Sequence, residues 1–186
     1  MWMLLVGLLL WSLVHFIPSA TPSLKQSWIA KTSDKGYMLS FSILIISSLC
    51  LIVFGWRAAP IEFVYTLPQS TKPIAVVLML IASMLFAAAK QKTNIKRVIR
   101  HPQLTSVLVW SIAHLILNGD SRSLILFGGM CLWSLWQIYF INKREGAWSK
   151  PEPVSWRNEI KVLLVGGVIF VILALIHPYL SGVAIV

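Results

Sequence analysis

The chain has 186 residues, 58% of them hydrophobic and 12% charged, with a mean hydropathy of +0.80. A soluble domain carries roughly twice that share of charge, so this much apolar surface must face lipid or other helices rather than a water-soluble core. The formal net charge of +10 would suggest nucleic acid in a soluble protein, but no helix-turn-helix, zinc or RNA-recognition pattern occurs and no nucleic-acid partner is expected.

Six apolar runs follow one another: Trp2 to Ile17, Met38 to Trp56, Ile74 to Ala89, Pro102 to Asn118, Ser123 to Ile141 and Val162 to Leu180. None contains Asp, Glu, Lys or Arg, and each is near the length a helix needs to cross the hydrocarbon core. The first run is followed by Pro18-Ser19-Ala20, like a signal peptide, but no Lys or Arg precedes it, so it reads as a retained helix. The expected fold is all-α: a polytopic transmembrane bundle of about six helices, one domain over residues 1–186, with the lipid bilayer as its solvent.

The connectors set orientation. Lys25, Lys31 and Lys35 lie between the first and second runs, Lys90, Lys92, Lys96, Arg97 and Arg100 between the third and fourth, and Lys143, Arg144, Lys150, Arg157 and Lys161 between the fifth and sixth. Thirteen of the sixteen basic residues thus fall in the odd connectors; the even ones hold only Arg57, Lys72 and Arg122. The positive-inside rule makes the odd connectors cytoplasmic and puts both termini outside, which in a bacterial inner membrane is the periplasm. Pro60, Pro68 and Pro73 predict an irregular second connector. Pro102 suits a first helical position, and Gly119 a helix stop. Cys50 and Cys131 lie inside apolar runs and read as buried, inert thiols. Trp133 and Trp136 read as packing residues.

All four histidines, His15, His101, His114 and His177, lie in or at the edge of apolar runs. Ionisable groups in a membrane are costly and mark function. Neutral imidazole ligates iron, copper and zinc. The carboxylates and cysteines that zinc recruits are missing from the runs, so haem held by two histidines on facing helices is the simplest match. Topology places His15 and His101 towards the cytoplasmic side and His114 and His177 towards the other. Two layers of histidine are therefore possible. Arg100, beside His101, is placed to hold a haem propionate or a lipid phosphate, or to snorkel. Trp11-Ser12-Leu13-Val14-His15 and Trp110-Ser111-Ile112-Ala113-His114 echo each other, which an inverted repeat of two three-helix halves would explain. No paired carboxylates, nucleophile triad, phosphate loop or dinucleotide fingerprint appears.

Asn94-Ile95-Lys96-Arg97, Arg100-His101-Pro102-Gln103-Leu104, Trp110-Ser111-Ile112-Ala113-His114-Leu115 and Asn118-Gly119-Asp120 resemble the NnrU family. Ser123 to Gly129, Val14-His15-Phe16 and Ile176 to Gly182 extend the resemblance over nearly the whole chain. That family includes bacterial proteins linked to nitrite and nitric oxide reduction, and the plant 15-cis-zeta-carotene isomerase. The resemblance implies haem b ligated by His15 and His114; His101 and His177 are then in reserve, as a second site or as supporting groups. It implies either a redox partner in nitrogen-oxide respiration or an apolar polyene substrate for cis–trans isomerisation. The isomerase has a cysteine three residues before the second histidine; here that position is Ser111, and a serine hydroxyl is a poor iron ligand. A third reading is a non-catalytic assembly factor whose histidines only hold the bundle together.

Overall fold

The computed structural model describes residues 1–182, and these form six long helices. They are α1 (Trp2–Ala20), α2 (Pro22–Ala58), α3 (Lys72–Ala89), α4 (Pro102–Leu117), α5 (Ser121–Glu145) and α6 (Trp156–Ser181). Five of the six are long and apolar enough to cross a membrane. At 16 residues, α4 is the short one, about 24 Å along its axis. The protein is thus a helical membrane protein.

One expected connector is itself helical. The stretch bearing Lys25 and Lys31 belongs to α2, which starts at Pro22 and breaks at Ser33 (φ 76°, ψ 167°). Trp28 packs its ring edge-on to Tyr37 at 5.1 Å, and Lys25 lies 5.6 Å from the Tyr37 ring, which folds the first segment back on the second. The Ser33 hydroxyl accepts from Gly36 N at 3.3 Å, so the break re-caps the helix that follows.

The helices follow one another round a ring: α1, α5, α4, α3, α6, α2. Two glycines set the closest approach, between α1 and α2. A Cβ at Gly7 would meet Ile52 N at 2.8 Å, and one at Gly55 would meet Leu4 Cα at 2.7 Å. Where lipid is as apolar as leucine, such backbone proximity is a main source of helix association. The ring closes where α2 meets α6: Trp56 Nε1 donates to Ser181 O at 3.3 Å and Arg57 to Tyr179 O at 2.7 Å.

The two ends differ in chemistry. At the basic end, Arg144 of α5 donates to Pro18 O of α1. Arg100 donates to Gly146 O at 2.8 Å and pairs with Glu145 at 3.1 Å. Glu159 of α6 accepts from Thr93 Oγ1 (2.6 Å) and Asn94 N (2.7 Å). The odd connectors therefore share one end, as their charge predicts. At the opposite end, the connector after α2 crosses the α4–α5 turn. Val64 N donates to Gly119 O at 2.7 Å, Ser121 N donates to Glu62 O at 2.8 Å, and the Tyr65 hydroxyl donates to Leu115 O. A Cβ at Gly119 would collide with Tyr65, which is why glycine sits under this strap. The local echo of α1 and α4 does not extend to the packing: α3 packs against α4, but α6 makes no comparable contact with α1, so the ring lacks the two-fold relation an inverted repeat would give it.

Gly55→Leu should push α1 from α2 and lower the unfolding midpoint in detergent, by the equivalent of about 1–3 kcal/mol. Gly167→Leu, on a side where a Cβ meets nothing within 4 Å, should not. Equal midpoints for the two variants would refute the close-approach account.

Candidate functional site: two imidazoles at the loop end

His114 stands in the last turn of α4 and is buried, at 8% exposure. Its Nδ1 lies 2.9 Å from Trp110 O, one turn earlier. A carbonyl can only accept, so Nδ1 carries the proton and Nε2 of the neutral ring carries a lone pair. The Trp110 and Phe127 rings hold the imidazole in place, Phe127 stacked at 4.4 Å and 23°. Phe127 occupies a π-turn, Leu124–Gly128, inside α5; such wide turns recur at functional sites.

Across the ring interior stands His177 of α6. The two imidazole centroids are 6.3 Å apart with planes 25° from parallel. The Ser181 hydroxyl donates to His177 O at 3.0 Å and lies 3.2 Å from His177 Nδ1. Its lone pair thus anchors that ring nitrogen, the kind of support a ligating histidine needs. α3 packs against both α4 and α6, so the two imidazoles meet between helices that are not neighbours in the packing order.

A buried ion pair supports this end. Asp120 and Arg122 are 6% and 8% exposed. Their side chains lie 3.4 Å apart, and Asp120 caps α5 by accepting from Ser123 N (3.0 Å) and Ser123 Oγ (2.7 Å). The Arg122 guanidinium lies 4.3 Å over the Trp56 ring, and Trp56 meets Phe127 at 5.8 Å. A continuous run of side chains therefore connects Asp120 through Arg122, Trp56 and Phe127 to His114. Partial burial, and then the Asp120 carboxylate, hold the Tyr65 phenol above its ordinary range.

The other predicted residues lie elsewhere. His15 repeats the His114 device, with Nδ1 2.9 Å from Trp11 O, but its ring meets Trp133 and Phe41. Trp133 and Phe127 are six residues apart on α5, about 9 Å along the axis, so His15 and His114 occupy different levels. His101 caps the start of α4 and places Nε2 2.9 Å from Asn142 Oδ1, a tie between α4 and α5 at the basic end. Arg100 closes the end of α5 there, away from the His114–His177 pair. Trp133, expected only to pack, faces an ionisable ring. Cys50, expected to be buried, is exposed on the apolar outside of α2. Asp120, Arg122, Trp56, Phe127 and Ser181 were not singled out from sequence as site residues. The Asp-x-x-Ser spacing of Asp120 and Ser123 was a legible cap signal; the contacts of the other four depend on the ring.

Among the described residues no three His, Cys, Asp or Glu side chains converge as a metal cage. A bare ion wants about four protein ligands, whereas haem iron needs only axial ones. Two imidazoles on opposite sides of one metal, each about 2 Å from it, have centroids about 6 Å apart. The spacing of His114 and His177 fits that geometry.

A closed order of apolar helices defines a polytopic helical membrane protein, in which His114 and His177 approach each other at one end. The chain belongs to the NnrU family: the family model, described as NnrU protein, matches residues 3–185. No curated protein and no solved structure matches it.

Asp120→Ala should lower stability by about 3–5 kcal/mol, because it leaves the buried Arg122 charge without its partner. Asp120→Asn, which keeps an acceptor for Ser123 N, should cost less; thermal unfolding in detergent compares them. The Tyr65 phenol binds its proton more tightly folded than unfolded, so its contribution is complete below about pH 10 and is lost as pH rises through the higher folded value. Tyr65→Phe should flatten that alkaline limb of a stability–pH profile, and an unchanged limb would assign it to another group.

Proposed function

We propose that this protein binds haem b between His114 and His177 at the loop end of the bundle and supports nitrite and nitric oxide reduction. The observation that carries the haem reading is the near-parallel pair of rings 6.3 Å apart, contributed by helices that do not adjoin in the ring. The nitrogen-oxide role comes from the resemblance to bacterial NnrU proteins. A haem with two imidazole ligands supplies one-electron transfer when bound. The chain's own residues do the rest. Trp110 O and Ser181 Oγ hold the two Nδ1 atoms, so each ring is anchored at that nitrogen. Phe127 and Trp110 fix the His114 plane and keep water from it. In this reading the protein sits in a bacterial inner membrane with its basic end in the cytoplasm and both termini in the periplasm.

His15, the partner that the resemblance gives to His114, is the alternative second ligand, and its different level on α5 argues against it. The polyene isomerase reading has less support. It needs a ligand that can exchange at the position of Ser111, whose hydroxyl is fully buried and makes no hydrogen bond among the described residues.

Protein purified in detergent and supplemented with haem should show a Soret band of low-spin, two-imidazole type. His114→Ala should abolish the band, His177→Ala should abolish it or convert it to high-spin, and His15→Ala should keep it. A band lost in His15→Ala and kept in His177→Ala would move the second ligand to His15; no band at all in the wild type would reject the haem reading. Reporter fusions at the C-terminus should be active only outside the cytoplasm; cytoplasmic activity would overturn the orientation.

A further inference from the structure

A second polar cluster lies between α1 and α5, around His15 rather than His114. The rings of Trp11, His15 and Trp133 pack against one another at 4.2, 5.6 and 5.3 Å. Gln137, one turn beyond Trp133, donates from Nε2 to His15 O at 2.8 Å, which binds it to the same place. Among the described residues, three buried polar atoms here have no hydrogen-bond partner: Trp11 Nε1, Trp133 Nε1 and Gln137 Oε1. Trp133 and Gln137 are only 6% and 4% exposed. In a membrane each such group is expensive to bury unpaired, and three on two adjoining helices are hard to explain as chance.

Their chemistry is complementary. The two indoles are donors only, and the amide oxygen is an acceptor only. The Trp11 carbonyl takes the Nδ1 proton of His15, so Nε2 of that neutral ring is a second acceptor. One oxygen atom that accepts from the two indole N–H groups and donates one O–H, to Gln137 Oε1, pairs all three unpartnered atoms; a carbonyl, which cannot donate, or an ammonium, which cannot accept, does not. Phe41 of α2 also packs against His15, at 5.7 Å.

We infer that Trp11, His15, Trp133 and Gln137 form a binding site for a hydroxyl group. Two sources carry that chemistry, the phenolic head of a lipid-soluble hydroquinone and a single ordered water. The site stands apart from the His114–His177 pair and rests on haem being held by that pair rather than by His15.

The test uses the full chain in lipid nanodiscs and a short-chain alkyl hydroquinone, with its dimethyl ether as the control that lacks O–H. If a hydroquinone is the guest, it should bind saturably at one per chain and the ether should not. Trp133→Phe, which removes the indole N–H, and Gln137→Leu, which removes the amide oxygen, should weaken binding by about tenfold or more. If water is the guest, neither compound binds, and an experimental map at water-revealing resolution should place one oxygen between Trp133 Nε1 and Gln137 Oε1. Either result supports the site. Equal binding of hydroquinone and ether, binding unaffected in folded Trp133→Phe and Gln137→Leu, or no binding together with no oxygen in the map would overturn it. The ether comparison is made on the wild type, so it holds even if a variant does not fold.

Discussion

A proton donor inside a membrane must find an acceptor within the protein, and in an α-helix the nearest spare lone pairs belong to carbonyls one turn back. His15 and His114 both use this device: each gives its Nδ1 proton to a tryptophan carbonyl at 2.9 Å. The bond satisfies the donor, selects one tautomer and turns Nε2 away from its own helix. Tryptophan at that position adds a ring that packs on the imidazole. Five residues of sequence therefore make a rigid, pre-oriented lone pair, and what each becomes depends on the neighbour the ring of helices brings to it. For His114 that neighbour is another imidazole; for His15 it is a set of indole and amide groups.

The ring explains why α5 matters most to both places. It packs between α1 and α4 and carries Phe127 at one level and Trp133 and Gln137 at the other. Its ends are tied at both faces, by Asp120 and Arg122 at the loop end and by Asn142, Arg144 and Glu145 at the basic end. Buried ion pairs give little net stability against an apolar replacement. The Asp120–Arg122 pair is better understood as fixing the position of Trp56, and through it Phe127, than as a source of folding energy.

Much of this was legible in the sequence because a membrane imposes simple rules. Apolar run length marked the helices, and the alternation of basic residues marked which connectors share an end. The depths of His114 and His177 followed from those two facts, and the structure brings the two together. What could not be read was lateral order. Nothing in the chain says that α3 stands between α4 and α6, so depth put His114 and His177 in one layer without showing that they meet. The Trp-Ser-x-x-His echo was real as a local device and misleading as a sign of global symmetry. The helical stretch after Pro22 was masked by its lysines, which read as connector although Trp28 and Tyr37 fold it back. Arg122 looked like an outlying surface charge because its partners, Trp56 and Asp120, meet it only in the folded ring.

The wide turn at Leu124–Gly128 has a consequence for how this chain can change over time. A π-turn holds one residue more than the α-turn it replaces, so the part of α5 before it is rotated by about 100° relative to the part after it. Loss of a single codon there would restore regular winding and swing the capped start of the helix, with Asp120 and Arg122, out of register with Trp133 and Gln137. This segment of five residues therefore has a fixed length. A homologue that had lost one residue between Asp120 and Gly129 would have to have abandoned one of the two sites.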